Sequence, residues 1–296
     1  MTGIISGIKR MEIHDGDGLR TTIFFKGCPL RCIWCHNPES LEKAPQIAAF
    51  NNKCISCGSC QSVCEKRAVI NGQIDRTLCM GCGACAEACP TEALKLYGEE
   101  WEATALFRHI MQDEAFFRSS GGGVTFSGGE CLLQIDFIAE LASMFYKAGI
   151  SVDIDTCGCV PRASVERILP YTDTFLYDVK AVDLELHKKL TGVDNILILE
   201  NLRYISEQNA NIEIRIPLVK GYNDSEITAI ARLLKDIKGI KKVKVLKYHA
   251  LAASRYDALG LPCTMPDAET TISYVDSVVE ILRGYGLNAV NGARDD

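Results

Sequence analysis

Thr21-Thr-Ile-Phe-Phe-Lys-Gly-Cys28-Pro-Leu-Arg-Cys32-Ile-Trp34-Cys35 runs a β-branched, aromatic segment straight into a loop with three cysteines. Thr21 to Phe25 predicts a strand that ends where this loop begins. The cysteines are spaced C-x3-C-x2-C, with Trp34 before the last of them. Three thiolates on one short loop leave the fourth iron of a cubane without a protein ligand. An open metal position suits a catalytic site, whereas a structural site is closed. A Cys3His zinc knuckle completed by His36 is the alternative.

Working outward, strands and helices alternate along the rest of the chain. Strands are predicted at Val124 to Ser127, Ser151 to Thr156, Thr174 to Val179, Asn211 to Pro217 and Lys242 to Lys247. Helices are predicted at Glu102 to Phe117, Leu132 to Ala148, Arg162 to Leu169, Ile196 to Glu207, Glu226 to Ile237 and Ala268 to Gly284. Such βα alternation implies a parallel sheet with crossover helices, and about six units make an incomplete version of the eight-unit barrel. The fold class is therefore α/β, a partial (β/α)6 barrel, with its site at the C-terminal strand ends.

One stretch breaks the pattern. Residues 51–94 are turn-rich and carry Cys54, Cys57, Cys60 and Cys64, then Cys79, Cys82, Cys85 and Cys89, each run spaced C-x2-C-x2-C-x3-C. This is the two-cluster bacterial ferredoxin pattern, in which the fourth cysteine of each run ligates the other cluster. Cys54, Cys57, Cys60 and Cys89 are thus expected to hold one 4Fe–4S cluster, and Cys79, Cys82, Cys85 and Cys64 the other. Glu65 departs from the pattern, standing where proline usually follows the fourth cysteine. Four thiolates also suit zinc, but structural zinc pairs two short C-x2-C knuckles and does not use runs of four. The division expected is a barrel formed by 1–50 and 95–296, with a ferredoxin-like insert at 51–94.

Fifteen cysteines against five histidines, with no secretory pattern at Met1 to Arg10, point to metal ligation and a cytoplasmic location. No apolar run reaches membrane-spanning length. A formal charge of −6 speaks against a nucleic-acid surface. Cys131, Cys157, Cys159 and Cys263, outside the runs, read as small buried hydrophobes.

The signature C-x3-C-x-aromatic-C resembles that of the radical SAM superfamily, and the likeness extends over nearly the whole chain. It implies that S-adenosylmethionine chelates the open iron through its amino and carboxylate groups. Reductive cleavage would then give a 5′-deoxyadenosyl radical. Ser127-Gly128-Gly129-Glu130 is similar to the family's GGE motif, which binds the cofactor's amino group. Asp155 and Thr156, Asp178 and Lys180, Arg215 and His249 match family positions near the cofactor, and Trp34 is expected to bind it as well. The resemblance also implies a monovalent cation near Asp155 and Asp178.

Within the superfamily, Ile13-His-Asp15-Gly-Asp-Gly-Leu-Arg20 is similar to the D-G-P-G-φ-R motif of glycyl radical enzyme activases, with Asp17 in place of proline. Cys35-His-Asn-Pro-Glu-Ser40 and Asp178-Val-Lys180-Ala-Val-Asp183 are similar to segments of the same family. The insert resembles that of the activases of glycerol dehydratase, choline trimethylamine-lyase and benzylsuccinate synthase. The activity implied is abstraction of a glycine Hα from a partner glycyl radical enzyme, with Cys28, Cys32, Cys35, Asp15 and Lys180 in catalytic roles. A flavodoxin or ferredoxin is the implied electron donor, and a monomer is expected. The alternatives are a radical SAM maturase of another protein or peptide, and a ferredoxin-like electron carrier with an unrelated domain.

Overall fold

The computed structural model describes residues 1–294 and contains thirteen strands. These are β1 (Thr2–Glu12), β2 (Arg20–Phe25), β3 (Gln46–Ala49), β4 (Val69–Ile70), β5 (Gln73–Ile74), β6 (Leu94–Tyr97), β7 (Glu99–Glu102), β8 (Gly123–Gly128), β9 (Ser151–Thr156), β10 (Thr174–Asp178), β11 (Asn211–Leu218), β12 (Ile240–Lys247) and β13 (Ala289–Asn291). Nine form one sheet in the order β13-β12-β11-β10-β9-β8-β2-β1-β7. Strands β2 and β8 to β13 are parallel, while β1 runs antiparallel to both β2 and β7. The partial barrel of six βα units is therefore present. The three-residue β13 adds a seventh parallel strand, and β1 extends the other edge.

The strands alternate with a period of two, and the alternation sorts chemistry onto two faces. Ile23 and Phe25 of β2, Val152 and Ile154 of β9, Phe175 and Tyr177 of β10, and Ile212, Ile214 and Ile216 of β11 join the helices in one large apolar core. Their neighbours in sequence, including Arg20, Asp153, Glu213 and Arg215, face the lumen and are buried there. Parallel strands covered on both faces usually read as continuous apolar runs. Here one face is charged because it lines the lumen.

That lumen is closed from the N-terminal strand ends by the turn between β1 and β2. Arg20 lies at its base, 1% exposed, with Nε donating to the Thr125 hydroxyl at 2.8 Å and Nη2 lying 3.3 Å from Asp153 Oδ2. The Thr125 hydroxyl in turn bonds the Asp15 carbonyl at 2.6 Å, fixing the turn inside the barrel.

The predicted helix over 102–117 is two helices, Ala103–Ile110 and Glu114–Ser120, parted by a 3-10 turn at Met111–Asp113. Asp113 accepts bonds from Arg10 of β1 and Thr21 of β2, which hold the turn against the sheet. The cysteine-rich segment is bracketed by the antiparallel pair β3–β6 and has its own core of Ile47, Cys60, Val69, Cys85 and Leu94. It docks on the helix Ala253–Leu259, where Ala258 and Leu259 pack on Ala48 and Arg76 donates to the Ala258 carbonyl at 2.8 Å. Among the described residues, no helix is long and apolar enough to cross a membrane.

Removing one partner of a buried ion pair leaves the other charge without compensation. Arg20→Met is expected to destabilise the chain by about 3–5 kcal/mol, read from urea unfolding followed by circular dichroism. An unchanged unfolding midpoint would contradict this role.

Candidate active site

The C-terminal strand ends open into a cavity of about 510 Å³, and the three-cysteine loop forms one wall of it. The loop is tied down on three sides. Cys28 N–H donates to the Leu41 carbonyl at 3.0 Å, and Ile33 N–H to the Leu190 carbonyl at 3.0 Å. The Tyr256 hydroxyl donates to the Cys35 carbonyl at 3.0 Å. Trp34 is buried against Leu190, Val219 and Tyr248, so it anchors the loop as well as lining the cavity. Cys28, Cys32 and Cys35 all face the cavity. Burial pushes the Cys28 and Cys32 thiols up to about 12 and raises Cys35. Thiolates crowded into such a site need a cation among them, as cluster irons would provide. The donor set fits an iron–sulfur cluster with one open iron.

Beside the loop, β8 delivers Gly128 and Gly129. Gly128 has φ +117°, and a Cβ there would overlap the backbone of Phe25; one on Gly129 would overlap the carbonyl of Gly27. Both glycines are thus required for the cysteine loop and strand β8 to meet, and both line the cavity. Glu130 does not line it. Its carboxylate is fully buried and accepts from Leu132 N–H at 3.1 Å, the Thr156 hydroxyl at 2.8 Å, Cys157 N–H at 2.9 Å and Cys157 Sγ at 3.0 Å. Thr156 also lies away from the cavity, because adjacent residues of a strand face opposite sides and Asp155 takes the inner one. Of the residues expected around the cofactor, Glu130 and Thr156 are the two that do not line the cavity. They brace the end of β9 from behind.

Asp155 and Asp178 line the cavity from neighbouring strands. Asp155 accepts from the Ser127 hydroxyl at 2.5 Å and lies 3.6 Å from Arg215 Nη1. Burial pushes its carboxyl up to about 7; Arg215 opposes the rise, while Asp178 and Asp15 add to it. Lys180 bonds the Asp178 carboxylate. Burial alone would lower the Lys180 ammonium, but Asp178, Cys32 and Cys157 outweigh it and the pKa is raised. Arg215 is 6% exposed; it donates to Asp15 Oδ1 at 3.2 Å and to the His14 carbonyl at 2.9 Å. Asp15 also accepts from the Thr22 hydroxyl at 2.9 Å. At the rim, His249 stacks on His36 with ring centroids 4.2 Å apart.

The structure adds Cys157 to the cavity wall, a position the sequence marks only as following Asp155 and Thr156. Of the remaining cysteines, Cys131 is buried and Cys159 half-buried, whereas Cys263 is exposed and is not the buried hydrophobe expected. In the insert, Cys54, Cys57, Cys60 and Cys89 line one small cavity, so the fourth cysteine of the second run meets the first three of the first run. Burial pushes Cys85 up to about 11, with Cys79, Cys64 and Cys82 adding to the rise, which places those four together.

The profile of the Radical SAM superfamily matches residues 99–234, and that of the 4Fe-4S binding domain matches residues 73–95. The chain is 42% identical to the trans-4-hydroxy-L-proline dehydratase activating enzyme of Clostridioides difficile, over 88% of each chain. It is 37% identical to the (2S)-3-sulfopropanediol dehydratase activating enzyme of Klebsiella oxytoca, over 99% of this chain and 98% of that one. Among solved structures, SuiB of Streptococcus suis bound to its precursor peptide SuiA shares the fold, with a TM-score of 0.56 over 89% of this chain and 46% of that one at 14% identity. Fold, cysteine loop and matches together define an enzyme that cleaves S-adenosylmethionine to a 5′-deoxyadenosyl radical using iron–sulfur chemistry. The chain belongs to the glycyl radical enzyme activating enzymes of the radical SAM superfamily.

Asp155 sets an expected pH dependence. Its carboxyl is neutral below about 7 and charged above. A cationic ligand that lowers this pKa by about one unit binds about tenfold tighter once the group has ionised. Affinity for S-adenosylmethionine should therefore rise between pH 6 and pH 8, and Asp155→Asn should flatten the profile in equilibrium dialysis. Parallel profiles for the two proteins would remove Asp155 from cofactor binding.

Proposed function

We propose that Cys28, Cys32 and Cys35 ligate the cluster at which S-adenosylmethionine is cleaved, and that Asp155, Asp178, Lys180, Arg215 and His249 surround the bound cofactor. The supporting observation is that these eight residues line one cavity at the C-terminal strand ends. Arg215 suits a carboxylate by its planar fork. Asp155 and Asp178 suit an amino group or a monovalent cation. Gly128 and Gly129 offer backbone that no side chain shields. Glu130 and Thr156 act from behind, through the shape of this wall.

Asp15 reaches the cavity from the turn that closes the lumen, and we assign it to the wall beside which the partner's glycyl loop comes to rest. Its hold on Arg215 links the loop's arrival to the cofactor's carboxylate. The relatives include enzymes named for activating dehydratases, benzylsuccinate synthase and isethionate sulfite-lyase. The partner proposed for this chain is a glycyl radical enzyme whose glycine Hα is taken by the adenosyl radical. Positioning carries this catalysis, since the radical itself chooses little.

Residues 51–94 are proposed to be a distinct two-cluster module on the barrel of 1–50 and 95–296. Cys54, Cys57, Cys60 and Cys89 would hold one cluster and Cys79, Cys82, Cys85 and Cys64 the other. Cys57 and Cys82 are exposed, which supports electron entry from a flavodoxin or ferredoxin at the module's surface. Its docking on the helix Ala253–Leu259 supports onward transfer, since Tyr256 of that helix bonds the Cys35 carbonyl.

Anaerobically reconstituted protein should carry about twelve irons in three 4Fe–4S clusters. Cys32→Ala should abolish 5′-deoxyadenosine formation, whereas Cys82→Ala should keep part of it under a strong chemical reductant. Zinc without acid-labile sulfide would overturn the cluster assignment. Equal loss in both variants, with the Cys28-Cys32-Cys35 cluster intact in the second, would overturn the relay.

A further inference from the structure

A thiol stands in the wall of a cavity where a carbon radical is generated. Cys157 lines the cavity with the three cluster cysteines and lies within electrostatic reach of Cys28 and Lys180. An S–H bond is weaker than the C–H bond of a primary alkyl group. A 5′-deoxyadenosyl radical meeting this thiol would take its hydrogen atom. The S–H bond would break, the C–H bond of 5′-deoxyadenosine would form, and the unpaired electron would remain on sulfur as a thiyl radical. Atom and electron move together, so neither oxidant nor reductant is needed. Each such event would consume one S-adenosylmethionine and leave the partner's glycine untouched.

The geometry shows what opposes this. Cys157 Sγ donates to Glu130 Oε2 at 3.0 Å, and Cys157 N–H donates to the same oxygen at 2.9 Å. The Thr156 hydroxyl donates to both carboxylate oxygens, at 2.9 Å and 2.8 Å, and receives Gly158 N–H at 2.9 Å. Residues 156–158 are thereby wrapped around one buried carboxylate. An S–H proton engaged with a carboxylate points into the wall and presents only the sulfur lone pairs to the cavity. Burial raises the Glu130 pKa while the bonds from Cys157, Thr156 and Leu132 oppose that rise, and the Cys157 bond lies where water does not compete.

We infer that Glu130 is a positioning residue that keeps the Cys157 S–H turned away from the adenosyl radical, so that hydrogen comes from the partner's glycine and not from the enzyme's own thiol. This goes beyond the assignment of the cavity and rests on the reading that S-adenosylmethionine is cleaved there. It gives the acidic residue after Gly128-Gly129 a task that requires it to face away from the cofactor.

The test uses the reconstituted holoenzyme equilibrated in thiol-free D2O buffer with S-adenosylmethionine and no partner, with 5′-deoxyadenosine analysed by mass spectrometry. Glu130→Gln should raise the solvent deuterium carried by the 5′-methyl group several-fold over the unsubstituted enzyme. Glu130→Gln combined with Cys157→Ala should return it to the unsubstituted level. Equal deuterium in Glu130→Gln and the unsubstituted enzyme would overturn the inference, as would a raised level that persists in the double variant. A second measurement needs no turnover and no folded Glu130 variant. The infrared S–H stretch that disappears in Cys157→Ala should lie at the lowered frequency of a strongly bonded thiol. A band at the frequency of a free thiol would overturn the inference by itself. Absence of 5′-deoxyadenosine from the unsubstituted enzyme, with that band lowered, would instead count against the reading of the cavity.

Discussion

The guanidinium of Arg215 sits where every part of the site converges. A planar cation buried in the lumen must be met by acceptors on several sides, and four groups from three elements supply them. Asp15 and the His14 carbonyl come from the closing turn, Glu213 from its own strand and Asp155 from β9. Because one fork holds all of these, the turn cannot leave the lumen without stripping the buried Arg215 of two of its acceptors, a cost of several kcal/mol for a buried charge. The cavity above inherits its floor from that arrangement. Asp155 is oriented by Arg215 and Ser127 together, and Asp178 is left to Lys180.

The strand period then decides what each neighbouring residue can do. Lumen-facing positions carry charge, and outward positions carry the isoleucines, valines and phenylalanines that hold the helices. A single-residue step therefore separates a cavity group from a bracing group. Asp155 faces the cavity, whereas Thr156 joins Glu130 behind it. Gly128 and Gly129 work differently again. Their absent side chains let the cysteine loop lie against β8, so cluster loop and cofactor wall are built by one close approach of backbones.

Much of this was legible in the sequence, because the signals were periodic or covalent in origin. Strands such as Asn211-Ile-Glu-Ile-Arg-Ile show a period of two, and the cysteine spacings carry ligand geometry whatever surrounds them. The crossing expected of Cys89 and Cys64 follows the same spacing logic, and the structure sets Cys89 beside the first run's cysteines and Cys64 beside those of the second. Elements defined by tertiary pairing were less visible. The strand Thr2–Glu12 contains two glycines, and Ala289–Asn291 is too short for any period. The short helix Leu184–Thr191 is marked in the sequence only by its caps, Asp183, whose side chain accepts from Leu186 N–H, and Gly192, at φ +85°. That Glu130 and Thr156 lie behind the cavity wall is not legible, because a motif records which residues gather at a site, not which way each one faces. Exposed Cys263 shows the reverse limit, since cysteine chemistry alone does not report burial.

Fold, cavity and family converge on hydrogen-atom transfer from a partner's glycine to the adenosyl carbon. The direct measurement is isotopic. A partner glycyl radical enzyme deuterated at the α-carbon of its loop glycine is incubated with reduced activase and S-adenosylmethionine. The account predicts one deuterium in each 5′-deoxyadenosine, formed in step with the glycyl radical seen by electron spin resonance. A glycyl radical accompanied by 5′-deoxyadenosine without deuterium would contradict it.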